Sequence, residues 1–245
     1  SERLNVTKLV GNYMLSIIIP TFNEEKFLPR LFKSLQEQTL TNFEVIVADH
    51  HSTDATREIA LRAGAKIVTG GRPAAGRNRG AQLAQGDWLL FLDADVVLPP
   101  DFLEKALKEI EKQNLVAASC LVEPLSQKKI DKFLHDVANF YLRLMKKISP
   151  RAPGACIFIK KEIHQTIGGF DENLQLAEDH DYVKRASELG KFGLLRCVYL
   201  PISVRRLEKE GRLHLSFKYL AVETHLVLLG PIYSDIFNYK FGHFN

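Results

Sequence analysis

The sequence predicts an α/β fold, a mostly parallel central sheet flanked by helices, and three observations carry that prediction. Short apolar runs recur through the first half, namely Leu15 to Pro20, Phe43 to Ala48 and Trp88 to Leu92, as expected of strands buried on both faces. Between them, apolar residues repeat at helical spacing, as in Phe27, Leu28, Leu31, Phe32 and Leu35. Strand and helix alternate at the intervals of βαβ units joined by right-handed crossovers.

The elements follow in order. Leu15 to Pro20, with three successive isoleucines, is the first strand, and Asn23 is placed to cap the helix after it, with Glu24 and Glu25 at its positive end. Phe43 to Ala48 is the second strand, and the polar loop from Asp49 to Asp54 leads into a helix from Ala55 to Ala63 that Gly64 can end. Lys66 to Thr69 is a short third strand, and Gly70-Gly71-Arg72-Pro73 opens a helix from about Ala74 to Gln85. The fourth strand, Trp88 to Leu92, runs directly into Asp93-Ala94-Asp95. A helix from Asp101 to Lys112, strands near Val116 to Val122, Ala155 to Ile159 and Leu194 to Leu200, and a helix of about Ile130 to Ile148 complete the pattern. That last helix aligns Ile130, Leu134, Val137, Tyr141, Leu144 and Ile148 on one stripe, which is expected to pack on the sheet.

Composition sets the limits. With 245 residues, 46% hydrophobic and 25% charged, the chain can bury one sizeable core. One domain is expected over 14–204, with a donor half of about 14–100 and an acceptor half of about 101–204, followed by a basic, apolar and helical extension, 205–245. Residues 1–13 show neither the apolar stretch nor the small-residue cleavage site of a signal peptide, and are set aside. Cys120, Cys156 and Cys197 form no CxxC pair, so each is read as a small core residue in a reducing, cytoplasmic setting. The longest apolar run, Leu226 to Tyr233, is far short of the ~20 residues that cross a bilayer. The net charge is +4, but its carriers cluster between Ser126 and Arg151 and between Arg205 and Lys218. Such clusters suit phosphates, an anionic membrane at its inner face, or plain solvation; nucleic acid is not among the expected partners.

Ligands of open α/β sheets sit at the carboxyl ends of the strands, where the loops after the second and fourth strands lie. Asp93 and Asp95, leaving a buried strand one residue apart, can share a hard cation such as Mg²⁺ or Mn²⁺ beside a diphosphate. Taken alone, the same spacing also arises where aspartates only cap turns.

The combination is more specific. Ile17-Ile18-Ile19-Pro20-Thr21-Phe22-Asn23-Glu24-Glu25, Asp49 with Ser52-Thr53-Asp54, Gly76-Arg77-Asn78-Arg79-Gly80-Ala81, and Leu92-Asp93-Ala94-Asp95 resemble the successive donor-site motifs of family-2 glycosyltransferases of the GT-A fold. Gly168-Gly169-Phe170-Asp171-Glu172 followed by Glu178-Asp179-His180-Asp181 is similar to that family's acceptor-side motif. The likeness covers about Leu15 to Leu200 and implies an inverting, metal-dependent transfer of a sugar from a UDP- or GDP-linked donor to an acceptor hydroxyl.

By that resemblance, Pro20, Thr21, Phe22 and Glu24 would line the nucleoside pocket, with His50 and Ala94 beside them, and Asp49 would contact base or ribose. Asp93 would face ribose or metal, and Asp95 the metal. Of Arg77 and Arg79, two apart in one helix, Arg77 is the expected diphosphate contact. Asp179, ahead of Glu178, would take the acceptor proton, while His180 is read as structural. Arg205 and Arg206 would fold over the departing diphosphate. Many members carry an aspartate and a glycine where this chain has His50 and His51, and an imidazole either donates or accepts, so both UDP and GDP remain open. The acceptor is expected to be a saccharide or a lipid-linked substrate.

Three other function classes compete. A nucleotidyltransferase needs a Gly-rich, Arg-containing loop after the first strand and a dinucleotide-binding oxidoreductase needs GxGxxG there; Pro20-Thr21-Phe22-Asn23-Glu24 is neither. A non-catalytic sugar-nucleotide-binding or scaffolding protein is the remaining alternative, marked by His50 and His51.

Overall fold

The computed structural model describes residues 13–146 and 148–237. Residues 1–12, Lys147 and the end of the extension, 238–245, lie outside the described residues.

One seven-stranded sheet organises the chain, in the order β3-β2-β1-β4-β6-β5-β7. β1 (Leu15–Thr21) pairs in parallel with β2 (Phe43–Asp49) and with β4 (Trp88–Leu92), and β2 pairs in parallel with β3 (Lys66–Thr69). β6 (Cys156–Lys160) runs antiparallel to β4 and to β5 (Ala117–Pro124), and β5 is parallel to β7 (Phe192–Ile202). The chain runs outward from β1 to β2 and β3, then crosses back to β4 on the other side of β1. That reversal opens a crevice at the carboxyl ends of β1, β2 and β4.

Each face of the sheet carries its own core. On one lie α1 (Leu28–Gln36), α2 (Thr56–Arg62) and α4 (Phe102–Gln113), through Leu31, Phe32, Ala60, Phe102 and Leu103. On the other lie α3 (Pro73–Leu83) and α7 (Glu178–Leu189), through Ala74, Ala81, Tyr182, Val183 and Ala186. Side chains such as Leu31 and Phe102, with no solvent contact, each stabilise the fold by about 1.5–3 kcal/mol through burial. α3 comes so close to β1 that any side chain at Gly80 would collide with Ile18, which draws the Gly76–Ala81 segment tight over the sheet.

Four expectations need correction. Asn23 does not cap α1, whose N-cap position is Phe27 with no side-chain bond. It turns left-handed (φ 54°) and accepts the Thr53 N–H at 2.8 Å, joining the first loop to the second. A short helix, α6 (Lys161–Thr166), follows β6 where none is expected. Cys197 is exposed, and its thiol is pushed up to about 12 by burial of the sulfur and by Glu109.

The largest difference is α5 (Lys129–Met145). Its inward residues are Asp131, His135, Asn139 and Leu142, while Ile130, Val137 and Leu144 of the apolar stripe, and Ile148 just beyond, are exposed. Hydrogen bonding explains the inversion. Asn139 bonds both Val122 main-chain groups, accepting from the N–H at 3.1 Å and donating to the carbonyl at 2.8 Å, as a neighbouring strand would. Asp131 accepts from Arg212 (2.6 and 3.0 Å) and from Ser126 (2.6 Å). After β7 come α8 (Arg205–Glu210) and α9 (Arg212–Leu228). α9 buries Leu215 and Val222 and turns Leu213, Phe217, Leu220, Val227 and Leu228 outward. Among the described residues no helix is long and apolar enough to cross a membrane.

Candidate active site

The carboxyl end of β1 delivers Pro20 and Thr21, and the next turn delivers Phe22 and Glu24. β2 ends on Asp49, which is fully buried. Its carboxylate accepts from Thr21 Oγ1 (3.3 Å), the Ser52 N–H (3.2 Å) and Arg57 Nη1 (3.1 Å). His50 is exposed with its ring 5.6 Å from that of Phe22, and His51 adopts φ 53°. That left-handed conformation suits glycine and is reached less often by His.

Beyond β4, Ala94 is buried and holds apart two carboxylates with different surroundings. Asp93 Oδ1 accepts from Arg77 Nη2 at 3.2 Å, and Asp95 Oδ2 faces Arg205 Nε at 2.9 Å. Arg205 also donates to both oxygens of Glu24, at 2.8 Å each, and lies 4.2 Å from the centroid of the Phe27 ring. Burial, aided by Asp93 and Glu24 and opposed by Arg205, pushes the Asp95 carboxyl up to about 6. Burial likewise raises Glu24, again against the pull of Arg205.

Arg77 is the pivot of the site. It is buried, and its guanidinium donates to Glu178 Oε1 at 2.8 Å, to Asp93 Oδ1 at 3.2 Å and to the Gly154 carbonyl at 3.2 Å. Its Nε has no hydrogen-bond partner among the described residues, and its central carbon lies 5.3 Å from the Phe170 centroid. Arg79, two residues on, turns away to the Gly70 carbonyl.

Glu178 and Asp179 open α7 behind Ala177, whose left-handed backbone (φ 59°) is costly for alanine. Glu178 is spent on Arg77; burial and the neighbouring Asp179 raise its pKa, and Arg77 opposes them. Asp179 is partly exposed and accepts the His180 N–H at 2.9 Å. A Cβ at Gly154 would stand 2.9 Å from Asp179 Oδ2 and 3.3 Å from Arg77 Nη2, so only glycine leaves that oxygen uncovered. His180 itself faces Arg151 Nη1 (3.1 Å) and Glu223 of α9 (3.3 Å).

Pro20, Thr21, Phe22, Glu24, Asp49, His50, Asp93, Ala94 and Asp95 thus share one strand-end crevice, and Arg77 ties it to Glu178 and Asp179. Arg205 reaches in from α8, while Arg206 bonds Glu210 at 2.8 Å. A depression of about 230 Å³ beside Asp95 and Arg205 is lined also by Phe27, Arg30 and Val204. Gly154, Arg57 and Phe27 go unnoticed in the sequence; Pro153-Gly154 before a predicted strand is the one available signal.

Among the described residues no three His, Cys, Asp or Glu side chains converge as a metal cage. The donor chemistry nonetheless fits a hard divalent ion. Asp93, Asp95 and Glu24 crowd together, Asp95 is held with difficulty as an anion, and a diphosphate would supply the remaining oxygens.

The sequence model of Glycosyl transferase family 2 matches residues 16–168. The chain belongs to that family. It is 32% identical over 194 residues to an uncharacterised glycosyltransferase of Haemophilus influenzae, covering 73% of this chain and 64% of that one. It is 33% identical over 240 residues to the poly(ribitol-phosphate) β-N-acetylglucosaminyltransferase TarS of Staphylococcus aureus, covering 91% of this chain and 40% of TarS. The mannosyltransferase PcManGT of Pyrobaculum calidifontis, solved with GDP-Man and Mn²⁺, superimposes with a TM-score of 0.68 at 22% identity, over 86% of this chain and 64% of that one. This chain therefore spans less than two thirds of the length of these relatives. The fold is GT-A.

Proposed function

We propose that this glycosyltransferase moves a hexose from a UDP- or GDP-linked donor to an acceptor hydroxyl, with inversion and with help from Mn²⁺ or Mg²⁺ at Asp93 and Asp95. The observation that carries the reading is the Arg77 guanidinium, which binds Asp93 and Glu178 together. It joins the carboxylate after β4 to Glu178 at the start of α7, next to Asp179, across one crevice.

Asp179 is the base. Its Oδ2, which Gly154 leaves uncovered, takes the acceptor proton while the hydroxyl oxygen bonds to the anomeric carbon. The bond from that carbon to the diphosphate breaks, its electron pair leaves with the phosphate oxygen, and attack from the opposite face inverts the centre. Glu178, turned to Arg77, positions the helix and does not touch the acceptor. Pro20, Thr21, Phe22, Asp49 and His50 surround the nucleoside, and Ala94 leaves room for it. Arg205 exchanges Glu24 and Asp95 for the diphosphate on donor loading, and Arg206 follows it as an outer positive charge. A divalent cation, when bound, neutralises the diphosphate and eases its departure. Residues 14–204 form the catalytic unit, to which 205–245 contributes the two arginines. TarS has been solved with UDP-GlcNAc and PcManGT with GDP-Man, which supports keeping both nucleotides in the screen; the acceptor is a saccharide or a lipid-linked substrate.

The test is a thermal-shift screen of UDP, GDP and their sugar conjugates with Mn²⁺ or Mg²⁺, followed by NMR of the products. At least one nucleotide raises the melting temperature, and its sugar appears in the inverted configuration. Retained configuration, or turnover undiminished in EDTA, overturns the mechanism. A scaffolding role would bind a nucleotide without consuming its sugar.

A further inference from the structure

We propose that the outward faces of α5 and α9 form a docking surface for an anionic lipid bilayer. A helix that serves only the core turns its apolar side inward; α5 does the reverse, and α9, which buries Leu215 and Val222, carries a second apolar face outward. α5 buries Asp131, His135 and Asn139 and presents Phe133, Val137, Phe140 and Leu144 to solvent, Phe140 at 66% exposure. α9 presents Phe217, at 69%, and Leu220 in the same way. Two contacts set the helices side by side, the Arg212–Asp131 ion pair at 2.6 Å and the bond from the Tyr141 hydroxyl to Glu223 at 2.6 Å.

Charge selects the occupant. At 100° per residue, Lys129, Lys132 and Arg143 fall along one border of the α5 stripe, with Asp136 as the one exposed acid beside them. Lys129 and Lys132 have no acidic partner among the described residues. An apolar face with aromatic and leucine side chains, bordered by lysines, is the pattern of a helix lying in the headgroup region without crossing it. A protein partner or a second copy would be served by the apolar face alone; the net positive border of Lys129, Lys132 and Arg143 against the single acid Asp136 adds nothing to self-association and attracts anionic lipid. Glu223 links this surface to His180, next to Asp179. On the glycosyl-transfer reading above, a lipid-linked acceptor would therefore reach the base from the membrane side.

Co-sedimentation of the full chain with vesicles tests this, and no nucleotide is added, so the result is independent of the catalytic reading. The chain pellets with phosphatidylcholine/phosphatidylglycerol vesicles at low salt and is released at about 1 M salt, where the screening length is ~3 Å. Lys129→Glu with Lys132→Glu weakens partitioning by about tenfold or more. Phe133→Ser with Phe217→Ser abolishes it with the melting temperature unchanged, because both rings are exposed. A chain that stays in the supernatant at low salt, or serine variants that pellet as the parent does, overturns the proposal. So does a parent that elutes as a dimer which the serine variants convert to monomer, for the face would then belong to a second copy.

Discussion

The donor edge and the α5–α9 side of the molecule obey opposite rules of burial. Along β1, β2 and β4 hydropathy decides, so Ile17, Ile18, Ile46 and Phe91 are wholly enclosed and polar residues appear where strands end. On α5 hydrogen bonding decides, since Val122 offers an N–H and a carbonyl that no strand covers and only Asn139 meets both. Two buried backbone groups left without partners cost about as much as burying a leucine gains, so satisfying them can decide which face turns inward. Apolar periodicity therefore locates a helix reliably, but states which face is buried only where the surface beneath has no unmet backbone groups.

Substitutions at five positions break or sharpen that contrast, beginning with the largest effect. Asp179→Asn leaves the strand-end crevice intact and removes the proposed base, so turnover falls by roughly 10²–10⁴ while calorimetry finds nucleotide affinity close to the parent. Equal losses in both would make Asp179 a binding residue. Next, Arg77→Ala strands the buried Glu178 and lowers unfolding stability by about 3–5 kcal/mol, measured by urea melts. Arg77→Lys rescues only part, because an ammonium cannot reproduce the three-way fork.

The sequence discloses which residues gather at the strand-end crevice almost completely, because βαβ alternation places successive strand ends together without knowledge of any side-chain angle. Asp49, Asp93 and Asp95 need nothing more. Gly154 and Phe27 escape notice since their importance is purely spatial: one leaves Asp179 uncovered, and the other lies under Arg205. The α5 stripe misleads for the reason already given, and α6 is too short to leave a periodic trace. The left-handed turns at His51 and Ala177 are equally silent, as neither residue type signals that backbone.

On α5, Asn139→Ala abandons both Val122 groups and costs about 1–3 kcal/mol, whereas Phe140→Ser, on the outward face, stays within ~0.5 kcal/mol. If the phenylalanine proved the costlier of the two, the inverted burial would be wrong.

Asp95 gives the smaller effect at the donor edge, and its sign is informative. Its folded pKa of about 6 stands above the ordinary aspartate value, so the native state holds the proton more tightly than the unfolded chain. Stability of the nucleotide-free protein should accordingly fall as pH rises from about 4 to 6, and Asp95→Asn should gain up to about 2 kcal/mol at neutral pH. Loss of stability in this variant would mean that the Arg205 ion pair outweighs desolvation. A donor site that disfavours its own empty state is one that a cation and a diphosphate would relieve.

The most direct measurement is release of nucleoside diphosphate from UDP- and GDP-sugars with Mn²⁺, comparing the parent with Asp95→Asn and Asp179→Asn. The account predicts that the parent consumes at least one donor, that EDTA stops it, and that both variants bind the nucleotide in thermal-shift assays but lose turnover by two orders of magnitude or more. Full turnover in either variant, or no donor consumed by a parent that binds it, would contradict the assignment of a metal-assisted single displacement to this crevice.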